Sequence, residues 1–166
     1  MSAPETPIVI LTTGGTIDKT YFDALSAYQI GESVVTKLLA TANVTHAYRI
    51  VEVLRKDSLE LDDADRQRLH AEILALDSQR IVVTHGTDTM VQTARVLASI
   101  PGKTIVLTGA LSPARFAESD AAFNLGMAFA TAQTAPPGVY IAMNGHVFRG
   151  DRVRKDRDRA RFVPVD

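Results

Sequence analysis

The sequence predicts an α/β fold built on an open, mainly parallel sheet flanked by helices. Three observations predict it. Apolar, β-branched runs recur at residues 8–12, 48–54, 80–84, 104–108 and 139–143. Several are apolar on consecutive rather than alternating positions, as suits strands buried on both faces of a parallel sheet. Helical patterns fill the intervals, and that alternation yields βαβ units with right-handed crossovers. The architecture expected is a Rossmann-like or flavodoxin-like three-layer sandwich.

Each helix has its own signal. Residues 32–41 carry Val34, Val35, Leu38 and Leu39. Residues 62–76 carry Leu69, Ile73, Leu74 and Leu76, and open with Asp62, Asp63 and Asp65. Carboxylates there favour a helix N-terminus by capping and through the macrodipole. Residues 88–99 carry Val91, Ala94, Val96 and Leu97 and stop before Pro101-Gly102, while 118–133 carry Ala121, Ala122, Leu125, Phe129 and Ala130. Two segments break the rhythm. Residues 17–31 are long for a strand-to-helix connection, where about 2–6 residues is common, and long loops in compact domains are often lids or binding loops. The tail from Arg149 to Arg161 holds seven basic and three acidic residues and reads as a solvated face.

The 166 residues suit one domain, 1–166, with a sizeable core, and neither a repeat nor an internal boundary interrupts it. Hydrophobic residues make up 46% and charged residues 22%, an ordinary soluble composition. A net charge of −1 argues against a nucleic-acid partner. With no cysteine in the chain, disulfides, thiolate nucleophiles and cysteine metal sites are excluded. The start, Met-Ser-Ala-Pro-Glu-Thr-Pro, lacks the basic and apolar regions of a secretory signal, and no run approaches a bilayer span. A cytoplasmic protein with no membrane partner is expected.

The chemistry concentrates in two threonine turns. Thr12-Thr13-Gly14-Gly15-Thr16-Ile17 follows the first apolar run, and Thr84-His85-Gly86-Thr87-Asp88-Thr89-Met90 follows the third. In an open α/β sheet, ligands bind beyond the carboxyl ends of the strands. Two hydroxyl-bearing turns there can face one pocket. A threonine hydroxyl is a weak nucleophile until a base or charged neighbour activates it. Thr16 has Tyr21 and Tyr28 in the segment after it, Thr87 has Asp88 beside it, and a lysine is a base when its pocket depresses its pKa. Plainer roles exist for the same residues. Thr16 can be a turn or cap residue, Asp88 stands where an N-cap would stand, and His85 reads as a packed, hydrogen-bonded histidine. Four histidines without a nearby acidic cluster make no metal site, and Gly14-Gly15 matches neither the dinucleotide fingerprint nor the phosphate-binding loop.

These blocks, in this order, resemble the type I/II (bacterial-type) L-asparaginase family. Thr13-Gly14-Gly15-Thr16-Ile17 is similar to the family's first threonine signature and Thr84-His85-Gly86-Thr87-Asp88-Thr89-Met90 to its second. Thr108-Gly109-Ala110 with Phe123-Asn124-Leu125, and Met143-Asn144 with Gly150 and Lys155, resemble two later stretches. The resemblance implies hydrolysis of L-asparagine to L-aspartate and ammonia, with no metal or organic cofactor. It implies Thr16 as the acylating nucleophile, Tyr28 (or its rival Tyr21) as the lid tyrosine, and Thr87, Asp88 and Lys155 as a second triad. Asp88 would hold the substrate's α-amino group and Ser58, in Asp57-Ser58-Leu59-Glu60, its α-carboxylate. Ala110 would offer a carbonyl to the leaving amide, with Gly15, Asp57 and Gly86 beside the substrate. Backbone amides near Gly15 and Asp88 would serve the oxyanion.

Two-domain members of that family add a C-terminal domain with an acid that helps bind the substrate amine. This sequence stops eleven residues after Lys155 (166 − 155). The expectation is the short, single-domain form corresponding to the N-terminal domain, with a relatively high KM and with Glu60 and Asp18 as local candidates for the missing acid. The exposed sheet edge adds the expectation of a homo-oligomer. Glutamine or another amide is the alternative substrate, since one methylene is discriminated by only about 1–3 kcal/mol. A non-catalytic asparagine-binding module is the alternative outside enzymes, but it would need neither a second threonine nor a lysine base.

Overall fold

The computed structural model describes residues 5–22, 27–31 and 33–166, with the backbone alone at 21, 22, 27 and 28. Six strands form the main sheet: β1 (Ile8–Gly14), β4 (Tyr48–Lys56), β5 (Arg80–Thr84), β6 (Thr104–Thr108), β7 (Gly138–Met143) and β8 (His146–Arg149). Their order is β4-β1-β5-β6-β7-β8, parallel throughout except that β8 runs antiparallel to β7. β1 and β6 are buried along their whole length. That explains their uninterrupted apolar runs. β4, at the edge, alternates more and is half exposed.

The pleat splits the core into two layers. Val9, Leu11, Ile81, Val83, Ile105 and Leu107 face α2 (Asp63–Ala75) and α3 (Met90–Leu97), meeting Leu69, Ile73, Met90 and Leu97. Ile8, Ile10, Val82 and Val106 face α1 (Val35–Thr41) and α4 (Ala121–Thr134), meeting Val35, Leu39, Leu125 and Phe129. Neighbouring residues of one strand thus supply opposite cores, as a period of two requires. The result is the three-layer α/β sandwich expected.

The helix starts differ in quality. At α2, the Asp62 carboxylate accepts from Asp65 N–H at 2.8 Å, and the Asp65 carboxylate accepts in turn from Asp62 N–H at 3.2 Å. This is the capping box foreshadowed by that acidic opening. α3 begins at Met90 rather than at residue 88, with Thr89 at its N-cap and no side-chain cap. The N-cap reading of Asp88 is therefore corrected: its carboxylate turns to another element.

The segment expected as a loop over 17–31 contains a hairpin, β2 (Lys19–Phe22) with β3 (Ala27–Ile30), after a 3-10 turn at Thr16–Asp18. Its register sets the backbones of Tyr21 and Tyr28 opposite one another. The side chains of both lie outside the described residues. The tail is not merely a solvated face. It folds back as β8 and the hairpin β9 (Val153–Asp156) with β10 (Arg161–Pro164), whose Phe162 is 3% exposed in the core. Among the described residues no helix is long and apolar enough to cross a membrane.

Candidate active site

The chain runs from β1 outward to β4, then returns past β1 to β5. The strand order therefore reverses between β1 and β5, where such sheets open a crevice at their carboxyl ends. Both threonine turns sit there. Thr13 Oγ1 donates to Thr84 O at 2.8 Å and ties the two strand ends together. Gly15 has φ +88°, and a Cβ built on it would lie 2.5 Å from Gly86 N. Only glycine fits such an approach. Thr16 and Thr87 each follow one of these touching glycines.

Gly86 packs on a third turn. A Cβ there would lie 2.5 Å from Ser58 Cβ, and Thr89 Oγ1 donates to Ser58 O at 2.7 Å. Ser58, 1% exposed, opens the 3-10 turn at Ser58–Glu60, and Asp57 Oδ1 caps that turn by accepting from Leu59 N–H. Asp57 Oδ2 pairs with Lys19 Nζ at 3.1 Å, joining the turn to the β2–β3 hairpin. Burial alone would raise the Asp57 pKa, but the Leu59 N–H and Lys19 bring it below the ordinary carboxylate value.

Lys155 arrives from β9. Its Nζ donates to Thr87 Oγ1 at 2.7 Å and to Asp88 Oδ1 at 2.8 Å. A hydroxyl, an amine and a carboxylate thus meet in one cluster although 68 residues separate Thr87 from Lys155. A second cation, Arg157, lies with Nε 3.7 Å from the same Asp88 oxygen, and its Nη2 donates to Asp88 O at 3.4 Å. Sequence reasoning missed Arg157 because the whole tail is basic.

The turn after β6 completes the rim. Asp120 accepts from Leu111 N–H and Ser112 N–H, and Asn124 Nδ2 donates to Gly109 O at 3.0 Å. Ala110, held by this clamp, is 1% exposed and packs with Ile17, Val34 and Ala121. Asp120 was also missed, although an aspartate just before a helix is a recognisable signal.

Two sequence expectations acquire geometry here. Gly15 N–H is already committed to Lys56 O at 2.9 Å, so oxyanion donors in that turn must be its neighbours' amides. Asp18, offered as a replacement acid, is 1% exposed and accepts from Val34 N–H at 2.9 Å, at the start of α1. Burial raises its pKa to about 6 despite the Val34 and Ser33 hydrogen bonds. Among the described residues, no group of three or more His, Asp or Glu side chains could hold a metal ion.

Two glycine-tight turns at a topological switch point, bearing a Thr–Lys–Asp cluster, define an α/β protein with a candidate site at the strand ends. The chain belongs to the asparaginase family: it matches the model "Asparaginase, N-terminal" over residues 7–161. It is 32% identical over 158 residues to the L-asparaginase of Thermococcus kodakarensis, covering 89% of this chain and 47% of that protein. It is 30% identical over 176 residues to the glutaminase-asparaginase of Pseudomonas fluorescens biotype A, covering 95% and 46%. The crystal structure of L-asparaginase I from Vibrio cholerae superimposes with a TM-score of 0.84 at 28% identity, covering 96% of this chain and 51% of that one. The chain spans about half the length of these relatives.

Proposed function

We propose that this chain hydrolyses the side-chain amide of L-asparagine to L-aspartate and ammonia, using threonine hydroxyls and no cofactor. The observation that carries the reading is Lys155 Nζ at 2.7 Å from Thr87 Oγ1 and 2.8 Å from Asp88 Oδ1. Binding alone gives no reason to set an amine on a hydroxyl; activation of a hydroxyl or a water does.

In this proposal Thr16 Oγ attacks the amide carbon, helped by Tyr28. The C–N bond breaks and ammonia leaves with a proton. Water, activated at Thr87 with Lys155 beside it, then cleaves the ester to aspartate and restores Thr16. Asp88 orients Lys155 through Oδ1 and meets the substrate's α-ammonium with its other oxygen, while Ser58 takes the α-carboxylate. Gly15, Gly86, Asp57 and Ala110 shape the walls. Holding both ends of a small substrate converts the attack into an effectively unimolecular step.

The proposal also takes residues 1–166 as one catalytic domain that self-associates, since β8 is an edge strand and Val147 on it is 47% exposed, with Phe123 nearby at 65%. Light scattering at micromolar protein tests the association, and a monomer contradicts it.

Glutamine is the second substrate reading, supported by the relative named glutaminase-asparaginase. Product analysis decides between them: aspartate from asparagine at a kcat/KM above that for glutamate from glutamine supports the first reading, and the reverse ranking the second. Hydroxylamine added to the asparagine reaction traps an acyl-enzyme as a hydroxamate. Its absence, with turnover intact, removes the covalent step.

A further inference from the structure

A line of buried polar groups leads from α2 to the Thr87 turn, and the catalytic proposal does not use it. Arg66 on α2 is 8% exposed, Thr93 on α3 is 0% and His85 at the end of β5 is 0%. Arg66 Nε lies 3.2 Å from Thr93 Oγ1, Thr93 Oγ1 2.8 Å from His85 Nε2, and His85 Nδ1 2.6 Å from Gly86 O. The direction of every bond is forced. A carbonyl only accepts, so His85 Nδ1 carries the proton and Nε2 must accept. Thr93 therefore gives its hydroxyl hydrogen to His85, and its oxygen receives from Arg66, which has donors only. The Gly86 carbonyl at one end and the arginine at the other thus select the same histidine tautomer.

The end of that line matters for the site. Gly86 O belongs to the peptide whose N–H is that of Thr87. Holding the carbonyl fixes the plane of that peptide and with it the starting direction of the Thr87 side chain. The other face of Gly86 is blocked by Ser58 and by Gly15. His85 is itself pinned by its own N–H to Thr108 O at 2.9 Å and by the close approach of Gly109 to its carbonyl. Burial, with the nearby Arg66 charge, keeps the imidazole neutral down to about pH 4, against the pull of the Gly86 hydrogen bond. A neutral imidazole is the form that can accept at Nε2 and donate at Nδ1 together.

We infer that Arg66 and Thr93 are positioning residues, which act through the Nδ1–H tautomer of His85 to orient the Gly86–Thr87 peptide. The inference rests on the hydrolase reading for its kinetic consequence, but not for its structural one. Arg66 also explains itself this way. It sits on the buried face of α2, three positions before Leu69 and seven before Ile73. A helix that only packed would place an apolar residue there. Among the described residues its one carboxylate contact, Asp63 at 3.5 Å, is to a fully exposed side chain, and such pairs contribute little.

The test combines a tautomer measurement with kinetics on the full chain. Histidine is labelled with 15N, His85 is assigned by its loss in His85→Gln, and two-bond 1H–15N correlations report which ring nitrogen is protonated. The wild type is expected to show Nδ1 protonated and Nε2 as acceptor. Thr93→Val, which keeps the shape and removes the hydroxyl, is expected to mix the tautomers and lower kcat at least tenfold with KM within twofold. Thr93→Ser restores both, and Arg66→Met reproduces a weaker form of the valine phenotype. A wild-type Nε2–H tautomer overturns the inference, and so does unchanged kcat in a folded Thr93→Val and Arg66→Met. If wild type releases ammonia from no amide, the hydrolase reading falls. The tautomers of wild type and Arg66→Met then still decide the relay, and an unchanged single tautomer in Arg66→Met overturns it. If Thr93→Val fails to fold, Arg66→Met and Thr93→Ser carry the same comparison.

Discussion

Gly15 and Gly86 touch backbone to backbone, so the two strand-end turns share a contact with no side chain between them. The same economy of space holds between Gly86 and Ser58. Steric size alone should therefore be disruptive at Gly86. Gly86→Ala is expected to destabilise by about 1–3 kcal/mol through overpacking and to lose most activity by displacing Ser58. Gly102→Ala is the control: its Cβ would meet nothing within 4 Å, but its φ is +70°. It should cost about 1 kcal/mol and leave kcat alone. Urea denaturation beside initial rates separates the two, and equal effects at both positions contradict the account.

Lys155 contacts the hydroxyl that it is proposed to activate. Lys155→Met should lower kcat by about 10²–10⁴-fold, the usual scale for general acid–base catalysis, and raise KM far less. The opposite split would make Lys155 a binding residue.

Arg157 places an exposed cation 3.7 Å from the carboxylate proposed to bind the substrate's α-ammonium. Arg157→Ala should lower KM for asparagine by about two- to fivefold at low salt, and the difference should fade as salt screens it. A raised KM would show that Arg157 helps to hold substrate.

Two buried groups pull stability in opposite directions with pH. Burial raises Asp18 from 3.8 to about 6, so its contribution is fully present below about 3.8 and is lost as pH rises through 6. Burial lowers His85 from 6.5 to about 4, so its contribution is present above about 6.5 and is lost as pH falls through 4. Each is worth about 3 kcal/mol by the usual conversion, and between pH 4 and 6 they offset. Wild type should be nearly level across that window from these two groups. Asp18→Asn should lose stability faster on acidification, and His85→Gln should gain it. Chemical denaturation at pH 4, 5, 6 and 7 checks both slopes, and parallel curves for wild type and Asp18→Asn would remove the Asp18 assignment.

Much of the fold was legible because a parallel sheet with both faces covered demands uninterrupted apolar strands. The runs at β1, β5, β6 and β7 meet that demand directly. β8 escaped although its signal was present. Asn144 and Gly145 have φ 53° and 72°, and an Asn-Gly pair after an apolar run is a strong hairpin mark. The β9–β10 hairpin was less legible, since Val-Arg-Lys-Asp carries one apolar residue and is recruited by Phe162.

At the site, glycine-flanked threonines could be read locally, but partners could not. The capping reading of Asp88 was reasonable from spacing and lost to Lys155, which approaches from the far end of the chain. Asp57 shows how a motif hides structural work: one oxygen caps the Ser58 turn and the other holds Lys19 on the hairpin. Arg66 was readable in principle, as a charge on the stripe shared with Leu69 and Ile73, but nothing local names Thr93 as its acceptor.

The most direct test of the central claim is ammonia release from L-asparagine across a concentration series, beside a Thr87→Ala variant shown to be folded. The account predicts saturable release by the wild type and a loss of at least about a hundredfold in kcat in the variant. Equal release by the two proteins would contradict it.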